Sequence, residues 1–178
     1  TAGGVQYVAC AGNFKDAGLE YTGALKVLQM IFSYEYLWIQ IRVKGGAYGC
    51  MCSFSDQGDS MFVTYRDPNL SESYKVYDEA ADYVADFDAD DRDMKKYIIG
   101  TIGSMDMPME AVDMGARSFH AYFLGKTEAD LQKVRDQVLS CTQEDIRALA
   151  PIVKAVVEAG NRCCIGNEEK IDQNKEYF

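Results

Sequence analysis

Residues 42–66 read RVKGGAYGCMCSFSDQGDSMFVTYR. Tyr48–Ser55 alternates as a strand, Asp56-Gln57-Gly58-Asp59 forms a turn, and Ser60–Tyr65 returns as the second arm of a hairpin. Lys44-Gly45-Gly46 stops whatever precedes it, because paired glycines permit backbone that no helix uses. The segment is therefore a junction between a helix end and an antiparallel hairpin.

Working outward, Leu25, Leu28, Ile31, Phe32, Leu37, Trp38 and Ile41 recur at helical spacing, which predicts a helix over 22–42 with Thr22 as its N-cap. Val5–Ala11 reads as a strand and Asn13–Glu20 as a loop. Downstream, Arg66-Asp67-Pro68-Asn69 breaks the sheet. A helix capped by Ser71 then runs to Phe87, one capped by Asp90 to Ser104, and one from Met109 to Leu124. Thr127-x-x-Asp130 and Thr142-x-x-Asp145 open helices over 128–140 and 143–159 in capping-box fashion. Asn161–Ile165 is a last strand, and the tail NEEKIDQNKEYF is polar. Helices come in a block after the hairpin rather than alternating with strands. The class is α+β, an antiparallel sheet with helices packed on one face. Neither a repeat nor a linker divides the chain, so 1–178 reads as one domain.

The chain carries 18 Lys+Arg against 28 Asp+Glu, a net charge of −10. Residues 56–113, with five basic and fifteen acidic groups, hold a charge equal to that total. Such a chain is a poor nucleic-acid binder, since phosphate is gripped by a basic surface. The acidic run reads first as a solvated helix face, or as a wall that attracts cationic ligands. A membrane span needs about 18 apolar residues in a row, and none occurs. The six cysteines include no CxxC pair, so buried, reduced thiols are expected. The opening TAGGVQYVAC has neither a signal nor a transit pattern and looks like the start of a fragment or a processed chain.

The sequence offers little for metal or nucleophilic chemistry. It has one histidine, His120, inside the helical RSFHAYF, which reads as a structural residue packed or hydrogen-bonded by its neighbours. Gly45-Gly46-Ala47-Tyr48-Gly49 follows a helix and precedes a strand, the reverse of a phosphate-cradling loop. What the segment does offer is a pair of donors. Arg42 brings a planar fork of N–H groups, and Tyr48, six residues on, brings a hydroxyl suited to a carbonyl oxygen or oxyanion. The pair has no base, nucleophile or metal of its own. A helix C-cap followed by a core strand is the plainer reading.

YLWIQIRVKGGAYGCMCSFSDQGDSMFVTYRDPNL, together with ALKVLQMIFSYEYLW, DRDMKKYIIGTI and GNEEKIDQNKEYF, strongly resembles the C-terminal region of presequence proteases, a branch of the insulinase (pitrilysin) zinc metallopeptidases. The resemblance covers essentially the whole chain. It implies an insulinase/mitochondrial-processing-peptidase-like domain of a clamshell enzyme whose two halves enclose a chamber for short unstructured peptides, cationic targeting peptides among them. It implies that zinc sits in the N-terminal half on an inverted His-x-x-Glu-His motif, absent from this chain, and that metal ligands are none here. It assigns Arg42 to substrate backbone carbonyls and Tyr48 to the tetrahedral intermediate, with Gly45 and Gly46 shaping the substrate-binding turn. The implied partners are peptides and the N-terminal half of the same polypeptide, with no nucleic acid and no membrane. The implied compartment is the bacterial cytoplasm, or the mitochondrial matrix in a eukaryote. Two rivals stay open: a non-catalytic chamber-forming or partner-binding domain of the same fold, and a free-standing peptide-binding module.

Overall fold

The computed structural model of the protein describes residues 3–178; the first two residues of the 1–178 span lie outside it. Four strands, β1 (Tyr7–Asn13), β2 (Gly49–Phe54), β3 (Asp59–Tyr65) and β4 (Asn161–Ile165), form one sheet in the order β2-β3-β1-β4. Every pairing is antiparallel. Helices α1 (Ala24–Ile31), α2 (Ser71–Asp78), α3 (Ala80–Ala85) and α8 (Ala150–Glu158) cover one face. Helices α4 (Asp91–Met105), α6 (Glu128–Leu139) and α7 (Gln143–Arg147) pack against α1, and α5 (Ala111–Phe123) and α9 (Glu168–Asp172) complete the chain. The α+β architecture expected from the sequence is the one observed.

Strand periodicity fixes which side is covered. Val8, Cys10, Cys52, Phe54, Phe62 and Thr64 point into the helices and are buried. Phe32, just past α1, meets Phe54 and Phe62 with ring centroids 6.4 and 5.8 Å apart, so the continuation of α1 and the hairpin share one core. Tyr77 donates its hydroxyl to the Val8 carbonyl at 3.1 Å and Tyr74 to the Cys163 carbonyl at 3.0 Å, which fastens α2 across β1 and β4. The opposite residues, Tyr7, Met51, Met61, Tyr65 and Ile165, are exposed. One sheet face is therefore open among the described residues.

Several boundaries differ from the sequence reading. The expected 22–42 helix starts at Ala24 and continues past Ile31 as two π-wound stretches, Phe32–Tyr36 and Trp38–Lys44. Its N-cap is Gly23, while Thr22 accepts a long 3.4 Å bond from the Ala24 N–H. The 71–87 helix bends at Glu79, where α2 ends and α3 begins, and Leu70 rather than Ser71 stands at its N-cap. The 143–159 helix breaks before Pro151, whose missing N–H suits only the first turn of α8. Both capping boxes form as expected, and Asp90 caps α4 by accepting from the Arg92 and Asp93 N–H groups at 2.9 and 2.8 Å.

Candidate functional site

The junction between helix and hairpin is built by its hydrogen bonds. π-winding over Trp38–Lys44 gives the Gly45 N–H the Gln40 carbonyl at 3.0 Å, and such stretches often mark functional sites. The chain then reverses. The Gly46 N–H reaches the Arg42 carbonyl at 3.0 Å, and the Ala47 N–H reaches the Ile41 carbonyl at 3.1 Å. Both glycines are required. A Cβ on Gly45 would lie 2.5 Å from the Ile41 oxygen, and Gly46 has φ +80°. Ala47 is buried, which locks the turn into the core.

Arg42 and Tyr48 meet across this turn. The Arg42 Nε–H donates to the Tyr48 main-chain carbonyl at 3.0 Å, and its guanidinium lies 4.2 Å from the Trp38 ring centroid. The Tyr48 side chain is 66% exposed, and among the described residues its hydroxyl has no hydrogen-bond partner. The structure thus brings together all four residues named from the sequence, Arg42, Gly45, Gly46 and Tyr48.

Four neighbours, Tyr65, Tyr7, Asn69 and Arg66, went unrecognised in the sequence. Tyr48 and Tyr65 have ring centroids 5.6 Å apart, and Tyr65 and Tyr7 5.5 Å, so a row of edge-packed tyrosines runs along the open face. Asn69 donates to the Gly45 carbonyl at 2.6 Å and clamps the turn from behind. Arg66 has φ +49°, alone among the described non-glycine residues in being positive. Its carbonyl accepts the Tyr48 N–H at 3.3 Å, and its guanidinium lies 5.6 Å from the Tyr65 ring. A strained residue held beside an exposed polar group is a common site feature. YRDPN carried this signal, but it reads from sequence as a sheet breaker.

Two expectations change. His120 is exposed on α5, a helix that buries none of its residues, so it is not packed by neighbours. Cys163 is also exposed, although Cys10, Cys52 and Cys141 are buried as expected and all six thiols are free. Of the fifteen acidic residues in 56–113, Glu72, Asp78, Asp82, Asp91 and Asp93 lie on α2, α3 and α4; the others lie in the hairpin, the loops and α5, with Asp59 on the same face of β3 as Tyr65. Among the described residues no group of three or more His, Cys, Asp or Glu could hold a metal ion. Among the described residues no helix is long and apolar enough to cross a membrane.

The family model described as the PreP C-terminal domain matches residues 2–167. Protein HypA of Clostridium perfringens is 43% identical over 178 residues, all of this chain and 18% of its own length. Presequence protease 1, chloroplastic/mitochondrial, of Arabidopsis thaliana is 34% identical over 169 residues, 94% of this chain and 16% of its own. The chain thus spans less than a fifth of these relatives. A crystal structure from Bordetella pertussis Tohama I, described as a candidate zinc protease, superposes with a TM-score of 0.67 at 15% identity, covering 91% of this chain and 93% of that one. At that identity it bears on the fold alone. On the family match and the identity to presequence protease 1, the chain belongs to the PreP C-terminal domain family of insulinase-type peptidases.

Proposed function

We propose that the chain is the substrate-gripping C-terminal domain of a longer zinc-dependent endopeptidase that degrades short unstructured peptides in a closed chamber. The observation that carries this is the Arg42–Tyr48 pair, with an exposed hydroxyl and a guanidinium held by one bond on a rigid turn beside an open sheet face. Arg42 has further N–H groups to offer the backbone carbonyls of a bound peptide. Recognition through main-chain carbonyls is indifferent to sequence, which suits degradation of varied peptides. Tyr48 donates to the oxygen that gains charge as the scissile carbonyl becomes tetrahedral, a contribution of about 10²–10³ in rate for one well-placed donor.

The described residues do not fit a zinc site, and zinc in the longer protein would be held elsewhere in that polypeptide. The proposed compartment is the cytoplasm of a bacterium.

Arg42→Ala in the complete polypeptide tests the reading. A charged hydrogen bond to peptide is worth about 1.5–3 kcal/mol, so KM should rise about tenfold or more with zinc content unchanged. The 178-residue chain alone should hydrolyse nothing. Unchanged KM and kcat in Arg42→Ala would favour a non-catalytic, chamber-forming domain.

A further inference from the structure

Tyr48 is largely exposed, so its main chain, rather than close packing, sets where its ring stands. The Arg42 Nε–H holds its carbonyl, and the Arg66 carbonyl holds its N–H at 3.3 Å. A further grip on the same turn comes from the Asn69 amide on the Gly45 carbonyl. Arg66 and Asn69 flank Asp67, which is fully buried. The Asp67 Oδ1 accepts the Asn69 N–H at 2.9 Å, and its Oδ2 accepts the hydroxyl of Ser73 on α2 at 2.6 Å. Its own N–H donates to the Gln6 carbonyl at 2.8 Å, and its carbonyl accepts the Gln6 N–H at 2.7 Å, just before β1. The Gln6 Nε2 adds a bond to that carbonyl at 3.2 Å. Among the described residues Asp67 forms no ion pair. A carboxylate is costly to take out of water, and two neutral donors offset that only in part. A surface turn makes the same side-chain bond to the residue two on without that cost. Here the carboxylate is sunk into the core, where it ties the 66–69 loop to α2.

We propose that Asp67 is a positioning residue for Tyr48: its buried carboxylate fixes the 66–69 loop, and that loop sets the main chain of Tyr48. This rests on the reading of Tyr48 as the donor to the scissile carbonyl oxygen. The backbone of Arg66 supports it. A φ of +49° is left-handed, a conformation that a non-glycine residue keeps only where its surroundings enforce it. Asp67, the next residue, is the enforcing neighbour, held by its side chain on one side and by Gln6 on the other. With that hold released, Arg66 relaxes towards negative φ and its carbonyl turns away from the Tyr48 N–H. Asn69 loses its fixed N–H in the same step, and with it the aim of its amide at Gly45. The Tyr48 hydroxyl stands at the far end of its side chain, so a small rotation of the main chain carries it a larger distance. A misplacement of about 1 Å at a reacting group costs about 10²-fold in rate.

Asp67→Ala in the complete polypeptide, alone and combined with Tyr48→Phe, tests this by steady-state peptide hydrolysis, zinc content and amide exchange read by mass spectrometry. Exchange over residues 45–48 should speed up at least about tenfold, while α8 keeps its protection. The kcat should fall at least about tenfold, with KM within about twofold and zinc intact. In the Tyr48→Phe background the same substitution should cost less than about twofold, because a positioning residue acts only through the group it positions. Ser73→Ala keeps the carboxylate and removes one of its two donors. It should move exchange and kcat in the same directions by at least about threefold, and it carries the test if Asp67→Ala does not fold. Unchanged exchange over 45–48 overturns the proposal, as does an equal fall in kcat with and without the Tyr48 hydroxyl. Full turnover in Tyr48→Phe alone overturns the reading of Tyr48 instead, and exchange over 45–48 still decides whether Asp67 fixes the turn.

Discussion

The side chain of Arg42 holds the main chain of Tyr48: its Nε–H reaches the Tyr48 carbonyl at 3.0 Å across a turn of two glycines. The turn is stiff because each end is fixed to something buried. Ile41 and Ala47 are core residues, and Asn69 closes the loop through the Gly45 carbonyl at 2.6 Å. Gly45→Ala should therefore cost more stability than Gly46→Ala. The first drives a methyl against the Ile41 oxygen, while the second strains only φ, by about 1 kcal/mol or somewhat more. Asn69→Ala should cost about 1 kcal/mol. Denaturant midpoints of the three variants check this order, and equal losses for the two glycines would refute the close-approach argument.

The free thiols should separate by reactivity. Burial pushes Cys50 and Cys164 up to about 11 and Cys141 up to about 12, with the Arg42 charge opposing the shift at Cys50. Only the thiolate attacks an alkylating reagent, so these groups react slowly at pH 8. Exposed Cys163 should be labelled first, with Cys50 and Cys164 at least about tenfold slower. Peptide mapping after a short maleimide pulse reads the order, and all six should react alike in denaturant.

Alkaline stability should follow the buried phenols. Burial, helped by Asp56, pushes Tyr21 up to about 12, and burial with Glu35 does the same to Tyr83. Tyr36, Tyr74 and Tyr77 are raised further, burial again being the main cause. A raised folded-state value means the contribution is whole below the unfolded value of about 10 and is lost as pH climbs towards 12. Tyrosinate absorbance at 295 nm from these buried rings should rise only together with unfolding. A single smooth titration near 10, with the fold intact, would contradict the burial.

The fold was legible where the signal is local. Two glycines, a Gly58 turn and alternating flanks gave the hairpin, and both Thr-x-x-Asp boxes opened their helices. The helix breaks at Glu79 and Pro151 were not read from the sequence, because apolar spacing runs through them and only packing against different partners separates the pieces. The donor pair was visible because Arg42 and Tyr48 are six residues apart across a marked turn. Tyr7 and Asn69 were invisible as site residues because they arrive from 41 and 21 positions away from Tyr48 in the chain. Tyr7 joins Tyr65 through the β1–β3 register, and Asn69 looks like any turn residue until its amide meets Gly45.

The Tyr48 hydroxyl is the donor proposed to meet the charge that develops on the scissile carbonyl oxygen. The most direct measurement is steady-state hydrolysis of an unstructured peptide by the complete polypeptide carrying Tyr48→Phe, with zinc content determined on the same sample. The substitution removes one exposed oxygen and leaves the Tyr65 ring contact in place. A kcat at least tenfold lower is expected, with KM little changed and zinc intact. Turnover equal to the unsubstituted enzyme would take Tyr48 out of the chemistry.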